Sequence, residues 1–60
     1  MKIGDMVSYS QIYAQKRYGV VIHISQPTAM FPYQIAKVAF VDGKNEDIAT
    51  SVLEVISASR

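Results

Sequence analysis

Residues 18–25 read Tyr-Gly-Val-Val-Ile-His-Ile-Ser and form the clearest strand-forming stretch of the 60-residue chain. β-Branched residues dominate this stretch and it contains no strong helix former, which favours an extended strand. Its apolar run is nearly continuous. We therefore expect either burial on both faces or a β-bulge that changes the face to which side chains point. Gly19 near its start suits a bulge or a close backbone approach.

Four further segments around this stretch are predicted to form strands. Val7 and Tyr9 alternate with their neighbours, and Asp42-Gly43 predicts a hairpin turn between two strand-like segments. A single helical turn capped by Thr50 or Ser51 is expected before the last strand. The predicted strands cover residues 6–10, 18–25, 33–41, 46–49 and 53–56, and the predicted loops cover residues 11–17 and 26–32, the second of which contains both prolines.

No segment shows a sustained helical period, so we predict at most about one-sixth helix and at least four strands. Five short strands in so short a chain favour a small barrel, because a flat sheet would leave one face and two edges bare. The sequence therefore predicts one all-β domain over residues 1–60 with at most one short helical turn.

The strand before the Asp42-Gly43 turn predicts which side chains form the core. Ala36, Val38 and Phe40 are placed on the inner face, and alternation then directs the intervening residues outward. The outward residues of this strand are Ile35, Lys37, Ala39 and Val41. The rest of the predicted core is Val7, Ile24, Ile48, Leu53 and either Val21 or Ile22.

The composition excludes several classes of protein. Six Lys and Arg residues against five Asp and Glu give a net charge of +1 with His neutral, and half of the residues are hydrophobic. This excludes a disordered tail and a strong long-range field that attracts polyanions. The absence of Cys excludes disulfides and thiolate metal sites. Asp5 interrupts any signal-peptide run and no apolar run could span a bilayer, so we expect a cytoplasmic protein with no membrane partner.

The order of these features resembles the SH3-like small barrels. The entry Gly4-Asp5-Met6-Val7 and the later Gly19-Val20-Val21 are similar to the KOW pattern, whereas residues 38–43 and 53–56 are similar to Tudor-type barrels. Short bacteriophage and bacterial proteins also look like this along their whole length. The resemblance implies a five-stranded SH3-like barrel and an accessory protein of the phage type, in the host cytoplasm if phage-encoded. It leaves the ligand open.

Catalytic chemistry is not indicated by any cluster of residues. His23 is the only histidine and no acidic residue has metal-ligand spacing with it. Asp42, Glu46 and Asp47 surround a turn without the pattern of a calcium loop, and no nucleophile motif surrounds a serine. We therefore expect a non-enzymatic protein with no metal, no cofactor and no catalytic residue.

Four apolar residues instead suggest an interface. Met30 and Phe31 lie in the proline-containing loop, and Ile35 and Val41 point outward from their strand; Met and aromatic residues are enriched at interface centres. Phe31 either folds back over the open end of the barrel or is exposed. We expect a binding or assembly module that contacts a second copy of itself or another protein through this surface.

A second hypothesis places nucleic acid on the stretch around residue 16. Tyr13 and Tyr18 flank Lys16 and Arg17, and small barrels hold single strands by base stacking together with phosphate contacts. Alternatively, the tyrosines close the mouth of the barrel and the cations are solvated. With a net charge of only +1, such binding would be weak.

Overall fold

The computed structural model describes residues 1–10 and 15–58 and contains one antiparallel sheet of five strands. The strand order is β4-β3-β2-β1-β5, and the only helical element in the described residues is one 3₁₀ turn, η1. This confirms the all-β fold class with five strands and one short helical turn. The elements are β1 (Met6–Tyr9), β2 (Arg17–Ser25), β3 (Ile35–Phe40), β4 (Asn45–Ala49), η1 (Thr50–Val52) and β5 (Leu53–Ser57).

One face of the sheet, here called the core face, carries the buried apolar side chains. Ala36, Val38 and Phe40 of β3 are all buried, which confirms the predicted inward phase of this strand. Of the two alternatives on β2, Val21 is buried and Ile22 is exposed. The remaining predicted core residues are Val7 and Ile48, which are buried, and Ile24 and Leu53, which are partly buried and pack against the core together with Tyr9.

Of the two alternatives for residues 18–25, the structure has the β-bulge, which lies in the middle of β2. Val21 is paired with Val38 and His23 with Lys37, so Ile22 is an extra residue in the β2–β3 ladder. The extra residue changes the alternation of side chains. Val21 and Ile24, three positions apart, therefore both contribute to the core.

β2 and β3 approach each other closely at Gly19, which is one of the two alternatives that its position in the sequence suggested. It is paired with Phe40. A Cβ atom at Gly19 would lie 2.6 Å from Cγ1 of Val38, 2.7 Å from the Ala39 carbonyl oxygen and 3.0 Å from Cα of Phe40. Only glycine fits this site without displacing a neighbouring backbone.

In the hairpin between β3 and β4, the hydrogen bond between Phe40 and Lys44 closes a three-residue loop, residues 41–43. The Phe40 N–H donates to the Lys44 carbonyl at 2.8 Å, and the Gly43 N–H donates to the Phe40 carbonyl at 3.0 Å. Gly43 has φ of 92°, the left-handed conformation that such loops require of their last residue. Val41 therefore lies in the turn and not at the end of the strand, where the sequence pattern had placed it.

Other boundaries also differ from the prediction: β1 ends one residue earlier, β4 begins one residue earlier and β5 ends one residue later. Arg17 was placed in a loop but begins β2, and residues 33–34 were placed in a strand but precede β3. The helical turn begins after Ala49 and has no side-chain cap, so neither Thr50 nor Ser51 caps it. The Thr50 N–H donates to the Gln34 carbonyl at 3.0 Å, so a backbone contact fixes the start of this turn. Residues 11–14 of the first predicted loop lie outside the described residues.

Candidate interaction surfaces

The loop between β2 and β3 presents three large side chains to solvent. Met30 is 87% exposed, Phe31 67% and Tyr33 66%. Of the two alternatives for Phe31, the structure therefore has the exposed one. We call these three residues the apolar loop.

Thr28 gives the apolar loop a defined conformation. Its N–H donates to the Phe31 carbonyl at 2.7 Å, and its hydroxyl oxygen accepts a hydrogen bond from the Phe31 N–H at 3.0 Å. These two bonds close a four-residue turn with Met30 near its tip. A closed turn keeps its apolar side chains outward and reduces the entropy lost when a partner orders them.

A second apolar surface lies on the face of the sheet opposite the core. Met6 is paired with Val20, and Val20 is paired with Ala39, so these three residues form a row across three strands. Beside this row, the Val41 N–H donates to the Tyr18 carbonyl at 3.0 Å. We call this surface the outer apolar patch, and its members are Met6, Tyr18, Val20, Ile22, Ala39 and Val41.

The four interface residues predicted from the sequence fall into two groups. Met30 and Phe31 belong to the apolar loop, and half-buried Ile35 follows it at the start of β3. Val41, which is 82% exposed, lies at the other end of β3 in the outer apolar patch. Six residue-to-residue steps of extended chain separate Ile35 from Val41, which is about 20 Å. The structure therefore does not bring all four residues together.

The sequence reasoning did not identify Tyr33 or the patch residues on β1 and β2 as a protein interface, and it named Tyr18 only for nucleic acid. Tyr18, Val20 and Ile22 recur at every second position, which is the signal of one strand face. This signal was present in the printed sequence. It was obscured because the intervening Gly19 and Val21 belong to the core face and make the apolar run nearly continuous.

Arg17 contacts three side chains at the hairpin end of the core face. Its guanidinium donates to the Glu46 carboxylate at 2.6 Å and to the Asp42 carboxylate at 3.0 Å. Its Cζ atom also lies 3.9 Å from the centre of the Phe40 ring, which is a cation–π contact. The Arg17 side chain is only 22% exposed and covers the ring that ends the core.

These contacts change the acidity of two of the groups. The hydrogen bond to Glu46, with Asp42 adding to it, raises the pKa of Arg17. The backbone N–H of Lys44, which donates to Asp42 at 3.0 Å, lowers the pKa of Asp42, and Arg17 lowers it further. Both shifts favour the charged forms that make the contact.

The lowered pKa of Asp42 predicts a loss of stability in acid. A carboxyl group with a lower pKa in the folded chain stabilises the fold fully above its unfolded pKa, and this contribution disappears as the pH falls through the folded pKa. We therefore expect Asp42→Asn to melt below the wild-type protein at pH 6 to 7. The two melting temperatures should converge as the pH falls below about 4. Thermal unfolding followed by circular dichroism measures this difference, and a gap that stays constant down to pH 2 would contradict it.

Two of the described residues of the nucleic-acid hypothesis, Arg17 and Tyr18, lie on opposite faces of the sheet. Arg17 lies on the core face in contact with two carboxylates, whereas its neighbour Tyr18 lies on the opposite face in the outer apolar patch. Lys16 is exposed. Tyr13 lies outside the described residues.

Three further observations bear on function. Within residues 1–10 and 15–58, no group of three or more His, Cys, Asp or Glu side chains is arranged to hold a metal ion. None of the described residues forms a helix long and apolar enough to cross a membrane. Comparisons with known protein families, with curated proteins and with solved structures find no match to this chain.

Proposed function

We propose that the protein is a non-enzymatic binding or assembly module of the kind found among phage-type accessory proteins, and that it acts through protein–protein contacts. The observation that carries this proposal is the apolar loop. Its Met30, Phe31 and Tyr33 side chains are each about two-thirds exposed or more, and Thr28 holds the turn that presents them. Large exposed Met and aromatic side chains on an ordered loop are typical of the centre of a protein interface.

The outer apolar patch supports the same function. A sheet normally buries each apolar face against a second layer, and the described residues supply none on this side. Exposed polar and charged residues surround the patch: His23, Lys37, Asn45 and Glu54. An apolar centre with a polar rim is the usual anatomy of a protein contact.

Selection from a displayed random-peptide library tests the proposal. We expect wild-type protein to enrich peptides with apolar or aromatic residues. The paired change Met30→Ser and Phe31→Ser should lower the affinity for the selected peptide by about thirtyfold, which is the effect expected when hot-spot residues of an interface are removed. The matched control is Ile3→Ser with Val52→Ser, two large apolar residues elsewhere that are also more than half exposed, and it should bind as the wild type does. Equal loss in both variants would contradict a role for the loop.

A salt titration with a labelled single-stranded oligonucleotide tests the alternative. Phosphate contacts give an affinity that falls steeply with salt. We expect no binding at physiological salt, because Arg17 is held by Asp42 and Glu46. Binding that persists there, has a steep salt slope and is lost in Lys16→Ala would establish nucleic-acid binding and overturn the proposed function.

A further inference from the structure

At the β5 edge of the sheet, a side chain of the core face is left partly exposed. Val55 is paired with Val7 on the core face, and Val7 is fully buried. Val55 is nevertheless 40% exposed, because β5 ends the strand order and pairs only with β1 among the described residues. Alternate backbone N–H and C=O groups of an edge strand point away from its neighbour and lack a ladder partner.

We propose that a second copy of this chain completes the sheet at β5, in an antiparallel two-fold pairing centred on Val55. In this register the two Val55 side chains face each other across the axis. The core row Val7–Val55 then continues into Val55–Val7 of the second copy. The resulting dimer has one ten-stranded sheet, twice the five strands of the single chain. The proposal concerns a different surface from the apolar loop, so either proposal can fail without the other.

The charged residues favour pairing of a second copy at the β5 edge and disfavour pairing at the β4 edge. β5 reads Leu-Glu-Val-Ile-Ser and has one charged residue and no proline or lysine, the residues that commonly protect edges. In the register centred on Val55, Glu54 faces Ile56 and the two carboxylates are not directly opposed. The β4 edge reads Asn-Glu-Asp-Ile-Ala. The equivalent pairing centred on Asp47 would oppose two carboxylates, which is destabilising.

The same register makes β5 self-complementary. A two-fold interface must match its own residues, so each position faces a symmetry-related one. Here Val55 faces itself at the axis, and Glu54 lies opposite Ile56, the extra residue of β5 where the β1–β5 register shifts between Val55 and Ser57. Ile56 is 44% exposed, and the added strand would cover it together with Val55. A net charge of +1 adds little repulsion between copies.

Sedimentation equilibrium with charge variants at Val55 tests this pairing. Wild-type protein should approach twice 6.7 kDa with increasing concentration. Val55→Glu and Val55→Lys should each weaken dimerisation by about a hundredfold or more, because like charges then meet at the axis. An equimolar mixture of the two variants should recover the dimer, since only at the axis does a position face itself. Monomeric wild type at high micromolar concentration, or a dimer unaffected by either variant, would overturn the proposal.

A cysteine variant keeps the test decisive if the charged variants do not fold. The wild-type chain has no Cys, so Val55→Cys introduces a single thiol. Directly opposed residues of an antiparallel pair lie about 4.5–5.5 Å apart at Cα, within disulfide reach. Mild oxidation should convert Val55→Cys to a covalent dimer much faster than the control Val41→Cys, whose residue is 82% exposed on the outer face. Equal rates, or a faster control, would contradict the register.

The loop variant separates this inference from the proposed function. Met30→Ser with Phe31→Ser should lose peptide binding and keep the wild-type dimer, whereas the charged Val55 variants should keep peptide binding and lose the dimer. If the loop variant becomes monomeric while Val55→Lys stays dimeric, the second copy binds at the loop and the β5 proposal is wrong.

Discussion

Phe40→Ala should cost about 3–5 kcal/mol of unfolding free energy, which is close to the whole stability of a domain of this size. Phe40 is 4% exposed and is the largest side chain of the buried core. Its removal leaves a cavity under the Arg17 guanidinium, which then loses its aromatic contact. We expect a largely unfolded protein at room temperature, measured by urea titration of the circular dichroism signal.

Val41→Ala is the matched control for this change. Val41 is the next residue in the chain, is 82% exposed and belongs to the outer face. A surface substitution of this kind changes stability by less than about 0.5 kcal/mol. If Phe40→Ala unfolds at nearly the same urea concentration as Val41→Ala, the assignment of Phe40 to the core is wrong.

The second large effect is expected from adding one carbon atom at Gly19. A Cβ there would lie 2.7 Å from the Ala39 carbonyl oxygen and 3.0 Å from Cα of Phe40. Both neighbours are backbone atoms, so β2 and β3 must separate to admit the methyl group. We expect Gly19→Ala to destabilise the fold by about 1–3 kcal/mol, as overpacked sites do.

Gly43 distinguishes this steric effect from backbone strain. No atom lies within 4 Å of a Cβ built at Gly43, but its φ is +92°. Gly43→Ala should therefore cost about 1–2 kcal/mol, and Gly43→Asn should cost less because Asn tolerates left-handed backbone. At Gly19 the order should reverse, since Asn is larger than Ala. Urea titrations of the four variants measure both pairs, and the same order at both positions would contradict this distinction.

The sequence predicted the core face of β3 and gave the bulge in β2 as one of two alternatives, because local patterns bear on both. Alternation before Asp42-Gly43 fixes which β3 residues point inward, and a nearly continuous apolar run requires a bulge or a second buried face. The contacts of Arg17 were not predictable in this way. They join residues that are 25 and 29 positions apart in the chain, and only the strand register places them together.

The candidate surfaces were only partly predictable for the same reason. Met30 and Phe31 were recognised because large apolar side chains in a proline-bounded loop are exposed by default. The exposure of Val55 was not recognised, since a local pattern does not show that β5 is the last strand of the sheet. Tyr18, predicted to contact nucleic acid together with Arg17, lies on the opposite face because neighbouring strand residues alternate.

The central claim is that this chain makes protein contacts through two separate surfaces, the apolar loop and the β5 edge. Sedimentation velocity of the wild-type protein with a saturating, fluorescently labelled peptide from the library selection tests it most directly. The expected result is one species that contains two chains and two peptides. A peptide that converts the protein to monomers would show a single shared surface, and a peptide that does not sediment with the protein would contradict a binding role for the loop.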